Sequence, residues 1–240
     1  MPRLVRPVVV AGSFLVILFA GCQPPEQKVV DRLPDPYFPK QERKAHNLAP
    51  PAPPPVVQRP PAIPYPQGGV EPGWMPRGGI HNNWKYVIVH HSAADKGSPQ
   101  GIDAYHRQRG WDELGYHFVI GNGVDYPDGQ VYVGSRWPKQ KYGAHTRISK
   151  NDDNRFNLTG IGICLIGDFE HHRPTQKQMA SLARLVTFLC RETHISLSQV
   201  VEHRDVDPHT RCAGRYFNLD QLKPMVAGRM RSGPVHASTN

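Results

Sequence analysis

The chain has 240 residues, 38 % of them hydrophobic, with 29 Lys or Arg against 20 Asp or Glu and a formal net charge of +9. That composition can fill one sizeable core, and four cysteines are too few for a disulfide scaffold. The charge does not make a nucleic-acid footprint: residues 77–228 carry 19 basic and 15 acidic side chains, a local +4, and the remaining excess is spread over both ends.

Arg3 and Arg6 precede an apolar run from Val8 to Ala20. Its 13 residues suit the core of a signal peptide and fall short of the roughly 20 that span a bilayer. The run closes in Phe19-Ala20-Gly21-Cys22, and small residues followed at once by Cys resemble the lipobox of bacterial lipoproteins. That resemblance implies a signal over residues 1–21, lipid on Cys22, export, and membrane attachment through the lipid. An ordinary secretory signal with an incidental Cys is the alternative. Gln23 after Cys22 resembles the outer-membrane sorting pattern of double-membraned bacteria, so the periplasmic face of that membrane is the expected location.

Between Gln23 and Pro76 lie 16 of the 25 prolines, with runs such as Pro50-Pro51-Ala52-Pro53-Pro54-Pro55 that forbid helix and sheet hydrogen bonding. Residues 22–76 therefore read as a tether, able to reach on the order of 100 to 150 Å if largely polyproline II. Residues 77–228 have the size of one domain, and 229–240 read as a flexible tail.

Within the domain, Trp84 to His90 is a β-branched and aromatic run that predicts a buried strand. A helix is expected over Ile102 to Gln108, then strands over Tyr116 to Ile120 and Gln130 to Val133, with Asp128-Gly129 as a hairpin-type turn. Ile161 to Ile166 predicts a further strand. Thr175 suits an N-cap, after which Met179, Leu182, Ala183, Leu185, Val186 and Leu189 recur at helical spacing through Cys190. Leu219 to Ala227 completes the set. Strands interleaved with helices predict an α/β fold, a central sheet covered by helices, with strand directions left open.

The first strand ends in His90-His91, and Glu202-His203-Arg204-Asp205 leads to Cys212 near the end of the domain. His with Cys is the ligand set that zinc prefers. Three ligands without an obvious fourth describe a catalytic zinc, with one position for water, better than a closed structural one. The residues therefore point to a metallohydrolase.

Val87-Ile88-Val89-His90-His91-Ser92-Ala93, Gly110-Trp111 leading to Gly115-Tyr116-His117-Phe118, Gly143-Ala144-His145-Thr146, Ile161-Gly162-Ile163, Gly167-Asp168-Phe169, Pro174-Thr175 and His203-Arg204-Asp205-Val206 with Cys212 occur in one order. Together they resemble the zinc-dependent type 2 N-acetylmuramoyl-L-alanine amidases, a family that includes phage lysozyme-type amidases and peptidoglycan recognition proteins. The resemblance spans Trp84 to Phe217 and implies a mixed sheet, a Zn²⁺ cofactor, and a peptidoglycan or muropeptide substrate. The implied reaction is hydrolysis of the amide joining N-acetylmuramic acid to L-alanine, by a protein expected to be a monomer. A peptidoglycan-binding module without catalysis is the alternative. Recognition proteins of that kind typically lose the Cys ligand, which this chain keeps.

Carried over residue by residue, the resemblance assigns the zinc to His90, His203 and Cys212. Tyr116 takes the place of the catalytic Tyr, a neutral phenol able to donate to the oxyanion formed as an amide carbonyl is attacked. Thr210 stands where the family has a Lys or Thr that contacts the substrate carbonyl. His145 stands at a position lining the substrate cleft. Two departures accompany these matches. Cys164 stands where some members carry a Glu general base, and Cys212-Ala213-Gly214 replaces the usual Cys-Pro-Gly. Of the cysteines, Cys164 and Cys190 remain as a possible pair, or as two separate buried thiols.

Overall fold

The computed structural model describes residue 71, residues 73–146 and residues 154–232. The expected signal, Cys22, nearly all of the tether and residues 233–240 lie outside these. In chain order the elements are β1 (Tyr86–His91), α1 (Pro99–Gln108), β2 (Phe118–Ile120), β3 (Val131–Val133), α2 (Arg155–Thr159), β4 (Gly160–Leu165), α3 (Gln176–Thr193), a 3-10 turn (Leu197–Gln199), β5 (Val200–Glu202), α4 (His203–Val206) and α5 (Leu219–Arg231).

The strands form one five-stranded sheet in the order β3-β2-β4-β1-β5. β1 runs parallel to β4 and β5, β2 runs parallel to β4, and only β3 is antiparallel to its neighbour. The sheet is therefore mixed. Alternation along each strand separates two faces. Val87 and Val89 of β1 and Ile161, Ile163 and Leu165 of β4 join the core that also holds α3 and α5. Ile88 and His90, with Gly162 and Cys164 across from them in register, face the other way.

α3 forms because apolar residues fall at helical spacing and its start is capped on both sides. Thr175 accepts from Gln178 N at 3.0 Å while the Gln178 side chain accepts from Thr175 N at 3.0 Å. Leu182, Leu185, Val186 and Leu189 are 0 % exposed, and full burial of each contributes about 1.5–3 kcal/mol. α1 starts on Ser98, which accepts from Gly101 N at 3.1 Å, with Pro99 in the first turn where its missing N–H costs nothing.

Several boundaries differ from expectation: β1 begins at Tyr86, α1 already at Pro99, and α3 continues to Thr193. β2 begins at Phe118 instead of Tyr116, although His117 N still donates to Gly162 O at 2.9 Å. α5 continues to Arg231, past the expected Ala227. The packed domain starts before residue 77, since Trp74 is buried and its carbonyl accepts from Trp137 Nε1 at 2.6 Å. Cys164 and Cys190 are free, buried, and in different cores, the second of the two arrangements left open.

Candidate metal centre

β1 and β5 are parallel neighbours with Val89 opposite Glu202, so the residues that follow, His90 and His203, leave the same edge of the sheet side by side. Open parallel sheets generally present their sites at this carboxyl edge. Their ring centroids are 4.6 Å apart. α4 begins at His203 because Glu202 and Asp205 form a capping box, in which Asp205 accepts from Glu202 N at 2.8 Å.

Cys212 arrives from a loop tied back to α4. Arg204 N donates to Cys212 O at 2.6 Å, and Cys212 N donates to Thr210 Oγ1 at 3.2 Å. Gly214, at φ 97°, lets that loop lie against the segment after β4: a Cβ there would fall 2.5 Å from the Phe169 carbonyl carbon. Cys212 Sγ receives a hydrogen bond from His91 N at 3.3 Å and lies 3.7 Å from His90 Nδ1.

The ligand atoms of His90, His203 and Cys212 all lie within 4.8 Å of one another, and no fourth His, Cys, Asp or Glu joins them among the described residues. Bonds of about 2.1 Å to nitrogen and 2.3 Å to sulfur subtend about 3.6 Å across a tetrahedral edge, close to the Nδ1 to Sγ separation. His203 Nε2 and Asp207 Oδ2 are buried without hydrogen bonds, 4.0 Å apart. Converging lone pairs and unspent polar atoms fit a divalent metal held by these three residues.

Electrostatics agree with that fit. Burial drives His90 well below the ordinary imidazole range, with His203 and His145 adding to the effect. Burial also lowers His203 to about 4. Both rings are neutral at pH 7 and present lone pairs. Enclosure of its sulfur pushes the Cys212 thiol up to about 12, against the hydrogen bond from His91. A metal ion would take the place of that proton, since the thiolate is the ligand form.

Tyr116 packs beside His90, with ring centroids 5.1 Å apart, and is 1 % exposed. Its phenol lies well above the usual value, chiefly through burial and then through Cys164 and Cys212. It is thus a neutral donor. Thr210 sits two residues from Cys212; its Oγ1 accepts from Cys212 N and keeps its own hydrogen to donate. The structure brings His90, His203, Cys212, Tyr116 and Thr210 to one place.

His145, expected to line a cleft, takes a different place. It is 0 % exposed behind His90, with Nδ1 at 3.1 Å from His90 Nε2 and Nε2 at 3.1 Å from Gly160 O. Asn157 escaped sequence reasoning altogether: Oδ1 accepts from His145 N and Thr146 N at 2.8 and 2.9 Å and so holds the His145 loop. An Asn in a five-residue helix carries no periodic signal. His91 accepts at Nδ1 from Phe169 N at 3.0 Å, and His117 lies against Trp84 and Trp137.

Residues 81–215 match the profile of the family described as Amidase_2, N-acetylmuramoyl-L-alanine amidase. Peptidoglycan-recognition protein 2 of Holotrichia diomphalia is 36 % identical over 104 residues, 40 % of this chain and 48 % of that protein, so the chain spans about half that relative's length. Peptidoglycan recognition protein 1 of Bos taurus is 30 % identical over 150 residues, 58 % of this chain and 72 % of that one. The solved N-acetylmuramoyl-L-alanine amidase LysC from Clostridium intestinale superposes with a TM-score of 0.52 at 31 % identity, covering 61 % of this chain and 87 % of that structure.

Proposed function

Because the chain belongs to the Amidase_2 family of N-acetylmuramoyl-L-alanine amidases, we propose that it hydrolyses the amide between N-acetylmuramic acid and L-alanine in peptidoglycan, using zinc held by His90, His203 and Cys212. The convergence of those three ligand atoms within 4.8 Å carries the reading. When bound, zinc supplies Lewis acidity that lowers the pKa of a water toward 7 and polarises a carbonyl.

The chain's own residues do the rest. His90 and His203 offer neutral nitrogens, and the backbone N–H of His91 steadies the Cys212 sulfur. Tyr116, kept protonated by burial, donates to the oxyanion that develops on the amide carbonyl. Thr210 adds a second, uncharged donor from the same loop that carries Cys212. Cys164 adds no charge beside Tyr116, because burial keeps its thiol protonated. The ligand set and Tyr116 also weigh against a module that only binds peptidoglycan, since neither is needed for recognition.

The test is mass analysis of purified peptidoglycan after incubation with the full chain and zinc. Free peptides beginning in L-alanine, with glycan strands stripped of them, are the expected products. Intact muropeptides that are merely retained on the protein would select the binding module.

From the sequence alone we also propose export and lipid attachment at Cys22, with residues 22–76 as the spacer to a membrane. Cys22→Ser should release the protein from membranes and leave turnover of soluble muropeptides unchanged. A variant that stays membrane-bound after a salt wash would refute the lipid anchor.

A further inference from the structure

We infer that His145 is a positioning residue for the metal centre: it fixes the tautomer and ring orientation of His90 so that Nδ1 presents its lone pair toward Cys212 and His203. The inference rests on the metal-dependent reading above and assigns a role that the three ligands alone do not reveal.

One chain of hydrogen bonds sets the tautomer. Gly160 O can only accept, so His145 Nε2, 3.1 Å away, carries a hydrogen. His145 is 0 % exposed, and a buried imidazole that faces a carbonyl and a second imidazole is neutral, with one hydrogen in all. Its Nδ1 must then accept. The 3.1 Å contact from that atom makes His90 Nε2 the donor, so the one hydrogen of His90 is spent there. What remains on His90 is the Nδ1 lone pair, 3.7 Å from Cys212 Sγ. A hydrogen bond to the far nitrogen commonly sets which nitrogen of a histidine binds metal.

The seat of His145 is as specific as its bonds. A Cβ on Gly143 would fall 2.3 Å from His145 Cδ2, and a Cβ on Gly162 would fall 2.4 Å from the same atom. Gly162 lies on the face of β4 that carries Cys164, so the ring lies directly over the sheet beside β1. Asn157 grips the backbone on both sides of the His145 to Thr146 peptide, accepting from both N–H groups and donating to Thr146 O at 2.9 Å. Tyr116 stacks on the ring with centroids 6.3 Å apart. His145 therefore touches the ligand His90 and the donor Tyr116 but faces no solvent.

The direct test is nitrogen-15 NMR of the imidazoles in the metal-free full chain, combined with zinc affinity from chelator competition. His90 should be protonated at Nε2 and bare at Nδ1 before any metal is added. His145→Ala should mix the two tautomers and weaken zinc binding about 10- to 100-fold. His145→Asn, which keeps an acceptor near the Nδ1 position, should restore most of both. Gly162→Ala removes no polar group but pushes the ring off its seat, so it should act like His145→Ala. A wild-type His90 protonated at Nδ1 overturns the inference without any variant. So does a His145→Ala protein with the wild-type tautomer and zinc affinity. If the wild-type chain binds no zinc while His90 is protonated at Nε2, the metal-dependent reading fails and only the tautomer set by His145 stands.

Discussion

Arg136 and His90 are both buried polar side chains, 1 % and 0 % exposed, yet their surroundings are opposite. Arg136 donates Nε to Leu114 O at 2.7 Å and Nη1 to Tyr142 O at 2.8 Å, and pairs through Nη2 with Asp112. Beside it the Glu113 carboxylate accepts from Ser135, from Lys139 at 3.1 Å and from Lys141 at 2.9 Å. Around His90 the neighbouring rings and thiol are neutral; His90 Nδ1 lies 3.7 Å from Cys212 Sγ and His203 Nε2 is buried without a hydrogen bond. The charged cluster spends its capacity holding residues 112–114 against 135–142. The neutral cluster keeps its capacity for a ligand, and that is where function is to be sought.

The largest effect is expected at Arg136. Arg136→Met strips two carbonyls and a carboxylate of a buried partner and should destabilise the domain by about 3–5 kcal/mol, read from denaturant unfolding. Zinc bound per folded molecule should not change. A loss below about 1 kcal/mol would mean that this cluster does not hold the fold, since exposed pairs are worth no more than that.

Tyr116→Phe should do the reverse. Deleting one oxyanion donor costs about 3–4 kcal/mol of transition-state stabilisation, roughly 10² to 10³ in turnover. The zinc content and melting temperature should stay near wild type. Rates near wild type would move the oxyanion role to Thr210.

The smallest effect is a pH dependence. Burial works to raise Glu113, but hydrogen bonds from Ser135, Lys141 and Lys139 with the nearby Arg136 charge hold it at about 2, below its ordinary 4.5. A carboxyl depressed on folding contributes stability that is fully present above about pH 4.5 and is lost as pH falls through about 2. Glu113→Gln should flatten the acid limb of a stability against pH curve between those values. An unchanged limb would assign acid sensitivity elsewhere.

The long elements were legible for two reasons: β1 and β4 are continuous runs buried on both faces, and α3 is a capped stripe of Leu and Val at helical spacing. β5 was not, because Val200, Val201 and Glu202 make too short a run for any period, and its place beside β1 comes from long-range pairing. Strand direction likewise depends on register between distant segments. The candidate ligands His90, His203 and Cys212 stood out by residue type, and the structure brings them together. The role of His145 did not, since nothing local marks a ring that bonds His90 on one side and Gly160 O on the other. Chemistry-bearing residue types are visible in a sequence; the residues that orient them become visible when distances are.

The most direct test of the account is the rate of peptide release from peptidoglycan by the full chain after zinc is stripped with a chelator, measured beside its melting temperature. The account expects hydrolysis to be abolished, a fold that persists because the domain buries its core without metal, and activity restored by about one equivalent of zinc. Full hydrolysis by the metal-free protein would contradict it.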